Sequence, residues 1–79
     1  MDIYTEIKQM IVKSLAIEEE DVVPEAHLQD DLGADSLALL NLSEELSKQY
    51  GIEIVGDELV DIENVGELVK LVETKISAR

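Results

Sequence analysis

Ser36 is the residue whose type and position most invite chemistry, because its hydroxyl could act as a nucleophile or as an attachment point. Gly33, three residues earlier, permits a sharp approach of the chain to a helix. Asp35 and Ser36 are both residue types that are favourable at a helix start. The N–H groups and the positive dipole at a helix start would favour a phosphate ester on the Ser36 hydroxyl. On these residues alone, the simpler interpretation that Asp35 or Ser36 only caps a helix stays open.

The rest of the chain offers little for catalysis. His27 is the only histidine and cysteine is absent, so a catalytic triad would have to combine Ser36 with His27, which nothing marks as a base. We interpret His27 as a solvated loop residue, and a small hydrolase is a remote alternative. The pair Asp30-Asp31 lacks the spacing of a calcium-binding loop, and we expect no specific metal site. The sequence predicts a protein that is not an enzyme.

Apolar residues at helical spacing predict an all-α fold, a small bundle of three main helices plus one short helix. A long loop is expected between the first two main helices. The predicted helices span about residues 2–15, Asp35 or Ser36 to Tyr50, 57–60, and Asn64 onward.

Residues 18–34 form the predicted loop, and its acidic start at residues 18–21 is expected to be solvated. Val22, Leu28 and Leu32 are spaced too irregularly for a helical face, so we expect them to pin the loop to the core. In the last helix, Asn64 and Glu67 resemble a capping box.

Length and charge narrow the function classes. We expect the 79 residues to form one domain, which leaves little core for a deep active site. The net charge of −13 argues against nucleic acid and anionic membranes as partners and favours basic patches on other proteins. The first residues lack the features of a signal peptide, and no apolar run could span a bilayer. We expect a monomeric, cytoplasmic protein.

The string Asp31-Leu-Gly-Ala-Asp-Ser-Leu37 closely resembles the modification site of bacterial acyl carrier proteins. The positions around it agree, since a helix and a long loop precede the string and an acidic amphipathic helix follows it. The string Gly51-Ile-Glu-Ile54 resembles the family's segment after the second helix, and the last helix resembles its usual ending. The resemblance covers essentially the whole chain.

This resemblance implies a carrier in which a phosphopantetheinyl transferase moves 4′-phosphopantetheine from coenzyme A to Ser36. The thiol of that arm would hold acyl groups as thioesters, and an apolar groove between the helices would shelter them. The implied partners are acyl-processing enzymes with basic docking patches, such as synthases, reductases and acyltransferases. Residue matching implies partner contacts at Asp35, Leu37, Glu44, Glu45, Asp57 and Glu58.

The second helix departs from the family's common pattern. Ala38 and Asn41 stand where acids are usual, and Glu44 stands where an apolar contact residue is common. Ser43 places a hydroxyl where the interior is usually aliphatic, and Leu39 is bulkier than the usual residue. The pathway therefore stays open between fatty-acid biosynthesis and specialised polyketide, nonribosomal peptide or unusual-lipid synthesis. A remote alternative is an acidic helical adaptor in which Ser36 is only a helix cap.

Overall fold

The structure, a computed structural model, describes residues 2–78. Within them lie four α-helices and no strand, which confirms the predicted all-α bundle of three main helices and one short helix. The helices are α1 (Ile3–Leu15), α2 (Ser36–Tyr50), α3 (Gly56–Val60) and α4 (Val65–Ala78). The acidic stretch after α1 is exposed as predicted, but Glu19–Asp21 form a 3₁₀ turn that the sequence analysis did not anticipate.

Local chemistry explains where α1 and α2 stop and where α1 starts. The Asp2 carboxylate accepts the backbone N–H of Thr5 at 2.7 Å, which satisfies one of the free donors at the start of α1. Past the end of α1, Ala16 adopts a left-handed conformation with φ of 54°. Gly51 does the same after α2 with φ of 63°, where glycine has no Cβ penalty. The predicted ends of these helices, near residue 15 and at Tyr50, are confirmed.

The loop between α1 and α2 belongs to the core, as predicted. Val22, Leu28 and Leu32 are buried, and backbone hydrogen bonds tie the same loop to the start of α4. The N–H of Val65 donates to the Ala26 carbonyl at 3.0 Å, and the N–H of Gly66 donates to the Pro24 carbonyl at 2.9 Å. The loop is therefore a packed part of the fold that delivers the chain to the start of α2.

One aliphatic core joins the helices, the loop and the connectors. α2 packs against both α1 and α3, and α1 also contacts α4. Burial of this apolar surface is the main stabilising contribution in a domain of this size. The buried core residues are Ile7, Ile11, Val22, Ala26, Leu28, Leu32, Ala34, Leu39, Leu42, Leu46, Ile54, Leu59, Ile62, Val65, Leu68, Val69 and Val72.

The predicted capping box of α4 is half right. The Asn64 side chain accepts the backbone N–H of Glu67 at 2.9 Å, as a capping residue should. The Glu67 carboxylate, however, accepts the N–H of Glu63 at 3.0 Å. In a capping box the Glu67 carboxylate would accept the N–H of Asn64 itself. Here it accepts the N–H of the preceding residue, Glu63, in the connector before the helix.

Tyr50 links the end of α2 to the start of α1, because its hydroxyl donates to the Glu6 carboxylate at 2.8 Å. Burial and the contact with Glu6 raise the pKa of Tyr50 well above its ordinary value of about 10. Above pH of about 10 the unfolded chain loses this proton while the folded chain retains it, so stability should fall as pH rises. Tyr50→Phe should make the unfolding free energy measured between pH of about 10 and 11 less pH-dependent. Parallel profiles for variant and wild type would contradict this.

Candidate functional site

Asp35 caps α2, and Ser36 is the first residue of that helix. The Asp35 carboxylate accepts the N–H of Ala38 at 2.8 Å, which is the characteristic N-cap hydrogen bond. Ser36 is exposed, and its hydroxyl makes no hydrogen bond to any group in residues 2–78. The interpretation that Ser36 serves only as a helix cap is therefore wrong, because Asp35 is the residue that caps α2.

The loop before α2 is held by a turn built around His27. The backbone N–H of His27 donates to the Asp31 carboxylate at 2.7 Å. Its ring Nδ1 accepts the backbone N–H groups of Gln29 and Asp30 at 3.2 and 3.0 Å. His27 is half-exposed and structurally engaged, which corrects the prediction of a simply solvated residue. Its ring holds the turn that leads toward Ser36.

Two further features complete this approach. The N–H of Ala34 donates to the Leu28 carbonyl at 2.9 Å, and the N–H of Gly33 donates to the Gln29 carbonyl at 3.1 Å. Gly33 has φ of 74°, a left-handed conformation that glycine adopts at little cost. The predicted role of Gly33 in a sharp approach to the helix is confirmed.

A cleft of about 330 Å³ lies beside Ser36, between α2 and α3. Its walls are mostly aliphatic. Three of the apolar residues that line it are exposed to solvent, with exposed fractions of 47% for Leu40, 51% for Val55 and 50% for Val60. Leu37, which follows Ser36 in α2, is a fourth exposed apolar residue, with an exposed fraction of 65%. Single exposed aliphatic residues are common, but a group of them around one exposed hydroxyl is typical of an interaction site. The cleft is lined by Ser36, Leu39, Leu40, Val55, Gly56, Asp57 and Val60.

The α3 wall of this cleft is fixed by Glu58. One of its carboxylate oxygens accepts the Val55 N–H at 3.1 Å, and the other forms an ion pair with Lys75 of α4 at 2.9 Å. The hydrogen bond from Lys75 is the main reason that the pKa of Glu58 lies below its ordinary value. Leu59, next in the helix, is buried in the core. The ion pair therefore connects the short helix to the last one.

The residues for which partner contacts were implied have different surroundings. Asp35, Leu37 and Glu44 are exposed on α2, and Asp57 is exposed at the cleft. Glu45 is also exposed, but it lies toward α1, and its carboxylate accepts the Ser14 hydroxyl at 3.4 Å. Glu58 is only half-exposed, and its carboxylate is already paired.

Sequence reasoning missed Leu40, Val55 and Val60 as members of this surface. Their apolar character away from the buried helix faces was the available signal. What no pattern in the sequence revealed was their position beside Ser36, which depends on how α3 packs against α2.

Two unusual residues of α2 lie inside the fold. Ser43 is buried, and its hydroxyl donates to the Leu40 carbonyl of the preceding turn at 2.7 Å. That bond satisfies the hydroxyl without a partner from another helix. Leu39 is also buried, and it lines the inner side of the cleft. Within residues 2–78, no three carboxylate or imidazole side chains are placed to hold a metal ion together.

The residues at the start of α2 fit a covalently attached phosphate-linked group. The Ser36 hydroxyl is exposed and free of hydrogen bonds to residues 2–78, and it lies at the positive end of a helix of 15 residues. The adjacent aliphatic cleft offers a surface for the apolar parts of such a group. Fold and site together are those of a small helical domain with an exposed serine that could carry such a group.

Comparison with known proteins agrees with this class. Residues 5–72 match the family model described as a phosphopantetheine attachment site. An acyl carrier protein of Thermotoga maritima is 36% identical over 75 residues, covering 95% of this chain and 93% of the relative. An acyl carrier protein of Wolinella succinogenes is 38% identical over 74 residues, covering 94% and 97%. The chain belongs to the acyl carrier protein family.

Family membership confirms several predictions. The chain is a non-catalytic carrier whose cofactor is covalent 4′-phosphopantetheine, and its carrier role implies interaction with acyl-processing enzymes. In the part of the chain from 2 to 78, no helix is both long and apolar enough to cross a membrane.

Proposed function

We propose that Ser36 carries the 4′-phosphopantetheine arm and that the arm presents acyl intermediates to the enzymes of fatty-acid biosynthesis or of a related dedicated pathway. The observation that carries this proposal is the exposed Ser36 hydroxyl, which is free of hydrogen bonds to residues 2–78 and lies beside an apolar cleft. When bound, the arm supplies a thiol that holds acyl groups as thioesters. All of residues 1–79 then act as one cytoplasmic, monomeric carrier domain.

Attachment requires the Ser36 oxygen to attack the phosphorus nearest pantetheine in coenzyme A. A new phosphorus–oxygen bond forms to Ser36, the pyrophosphate bond breaks, and 3′,5′-ADP leaves with the bonding electrons. The hydroxyl proton passes to a base of the transferase or to water. The chain contributes an accessible oxygen, a rigid helix start capped by Asp35, and backbone N–H groups that favour the phosphate.

Partner recognition is proposed to combine charge with apolar contact. Leu37 lies next to Ser36 on the surface, and the acidic residues Asp35, Glu44, Glu45 and Asp57 surround or follow it. With a net charge of −13, this surface would steer basic patches of partner enzymes toward Ser36. We assign Glu58 chiefly to the ion pair with Lys75 and only secondarily to partner contact.

The choice of pathway rests on the residues that differ from the common pattern. Ala38 and Asn41 reduce the acidic charge near Ser36, which favours partners that use fewer basic residues there. A dedicated pathway for a polyketide, a nonribosomal peptide or an unusual lipid is therefore retained beside fatty-acid biosynthesis. Turnover of the loaded protein by a fatty-acid ketosynthase would favour the general pathway.

Reversing two charges on α2 tests the docking surface. The double variant Glu44→Lys/Glu45→Lys should slow association with a phosphopantetheinyl transferase by about tenfold or more at low ionic strength, because electrostatic steering is lost. Stopped-flow fluorescence measures the rate, and circular dichroism checks the fold. Glu18→Lys/Glu19→Lys makes the same charge change at exposed residues before α2 and should slow association less. Equal slowing by both variants would remove Glu44 and Glu45 from the docking surface.

Intact-mass spectrometry tests the proposed function directly. The purified chain is incubated with coenzyme A and a broad-specificity phosphopantetheinyl transferase, beside a known carrier as the activity control. We expect one added arm, which fragmentation locates on the peptide containing Ser36. A folded chain that gains no mass while the control is modified would overturn the proposal and favour an acidic helical adaptor in which Ser36 carries no group.

A further inference from the structure

The cleft beside Ser36 is shallow, and Leu39 closes it on the inner side. Among its lining residues only Leu39 is buried, at 1% exposure, whereas the others lie at or near the surface. Its volume of about 330 Å³ is at the lower end of the range for small-molecule pockets, roughly 300–1,000 Å³. The space available next to the attachment serine is therefore small and open to solvent.

Behind Leu39 the interior is closely packed. The next inward-facing residues of α2, Leu42, Ser43 and Leu46, are at most 1% accessible, and so is Leu59 of α3. Accessibility this low leaves no void along these side chains that a water molecule could enter, let alone an alkyl chain. An inserted chain would have to displace packed leucines, and it would run beside the buried Ser43 hydroxyl.

The walls of the cleft also resist separation. α3 packs against α2 and buries Leu59 in the core, and the Glu58–Lys75 ion pair connects α3 to α4. The same Glu58 carboxylate fixes the N–H of Val55, at the mouth of the cleft. Moving α3 outward would expose Leu59 and break the ion pair between Glu58 and Lys75.

We propose that the cleft accepts only the first few carbons of an acyl cargo, and that Leu39 is the residue that excludes a longer chain from the core. A short acyl group would lie against Leu40, Val55 and Val60, whereas the remainder of a long chain would stay outside the helix bundle. This inference rests on the proposed attachment of the arm to Ser36. It assigns the chain to short acyl cargo.

The test uses the wild-type chain carrying the arm on Ser36, loaded with either a butanoyl or a hexadecanoyl group through a hydrolysis-resistant amide. Methyl NMR shifts and the melting temperature are compared with those of the unacylated arm-bearing form. We expect both cargoes to shift the methyl signals of Leu40, Val55 and Val60, and neither to shift those of Leu42 and Leu46. The melting temperature should be the same for both cargoes within roughly 1 °C, because no further apolar surface becomes buried.

A matched pair of variants tests the role of Leu39. In Leu39→Ala the hexadecanoyl group should shift the Leu42 and Leu46 signals and raise the melting temperature above that of the same variant with the unacylated arm. Ile11→Ala removes similar volume from a fully buried position on α1 that does not line the cleft, and it should show no such dependence on cargo. If Leu39→Ala does not fold, the comparison of the two cargoes on the wild-type chain still tests whether a long chain enters the core. Leu39→Val then provides a milder change at the same position.

The outcomes separate this inference from the proposed function. If hexadecanoyl cargo on the wild-type chain shifts Leu42 and Leu46 and raises the melting temperature by roughly 5 °C or more, the inference is overturned while the attachment stands. If intact mass shows no arm on Ser36, the proposed function fails, and this inference fails with it before any cargo is compared.

Discussion

Replacing Ser36 with alanine should abolish attachment of the arm while changing the free energy of unfolding by no more than about 0.5 kcal/mol. The loss is complete because Ser36 provides the hydroxyl at this helix start, and the neighbouring Asp35 offers only a carboxylate. The fold tolerates the change because Asp35, and not Ser36, caps α2, and because the Ser36 hydroxyl makes no hydrogen bond within residues 2–78. Intact mass after treatment with coenzyme A and a transferase measures attachment, and urea denaturation measures stability.

Two control variants isolate the hydroxyl from its surroundings. Ser77→Ala removes an exposed serine near the end of α4 and should leave attachment unchanged. Asp35→Ala removes the cap, which should cost about 0.5–2 kcal/mol of stability, but it leaves the Ser36 oxygen in place. An arm that still attaches to Ser36→Ala would place the modification elsewhere in the chain.

Truncating Leu28 to alanine should destabilise the protein by about 2–5 kcal/mol, although Leu28 lies in a loop. The side chain is fully buried in the common core, so its loss leaves a cavity that the loop can fill only in part. The Leu28 carbonyl also accepts the N–H of Ala34, just before the cap of α2. In a domain of this size the loss is a large fraction of the total stability, which is often only about 5–15 kcal/mol.

Urea denaturation followed by circular dichroism gives the free energy of unfolding for this comparison. Val23→Ala shortens an aliphatic side chain of the same loop that is exposed, and it should change stability by no more than about 0.5 kcal/mol. Equal destabilisation by the two variants would contradict the structural role assigned to Leu28. Retained stability in Leu28→Ala would show that the loop is not part of the folded core.

The start of α2 could be predicted only in part from the local sequence. Asp and Ser are both good capping residues, so the position of a helix start followed from residue type, while the choice between Asp35 and Ser36 did not. In the structure the Asp35 carboxylate accepts the N–H of Ala38, so Asp35 is the capping residue and the Ser36 oxygen stays available. His27 is a similar case, because its bonds to Gln29 and Asp30 depend on a turn that has no simple sequence pattern.

The cleft could not have been predicted from α2 alone. Leu40 was recognisable as apolar and off the buried face of its helix, but Val55 and Val60 belong to a later segment. Their arrangement around Ser36 depends on the packing of α3 against α2 and on the Glu58–Lys75 pair, which joins residues 17 positions apart in the chain.

By itself, the sequence determined the all-α class, a helix that begins at Asp35 or Ser36, the burial of the loop leucines and the family resemblance around Ser36. These follow from periodicity, capping chemistry and local motifs, which act over a few neighbouring residues. Only the tertiary structure decided that Ser36 lies beside an aliphatic cleft, that Glu58 is paired with Lys75, and that the buried Leu39 lines the inner side of that cleft. Those features arise where side chains from separate helices meet, and close packing across such contacts depends on all of the helices together.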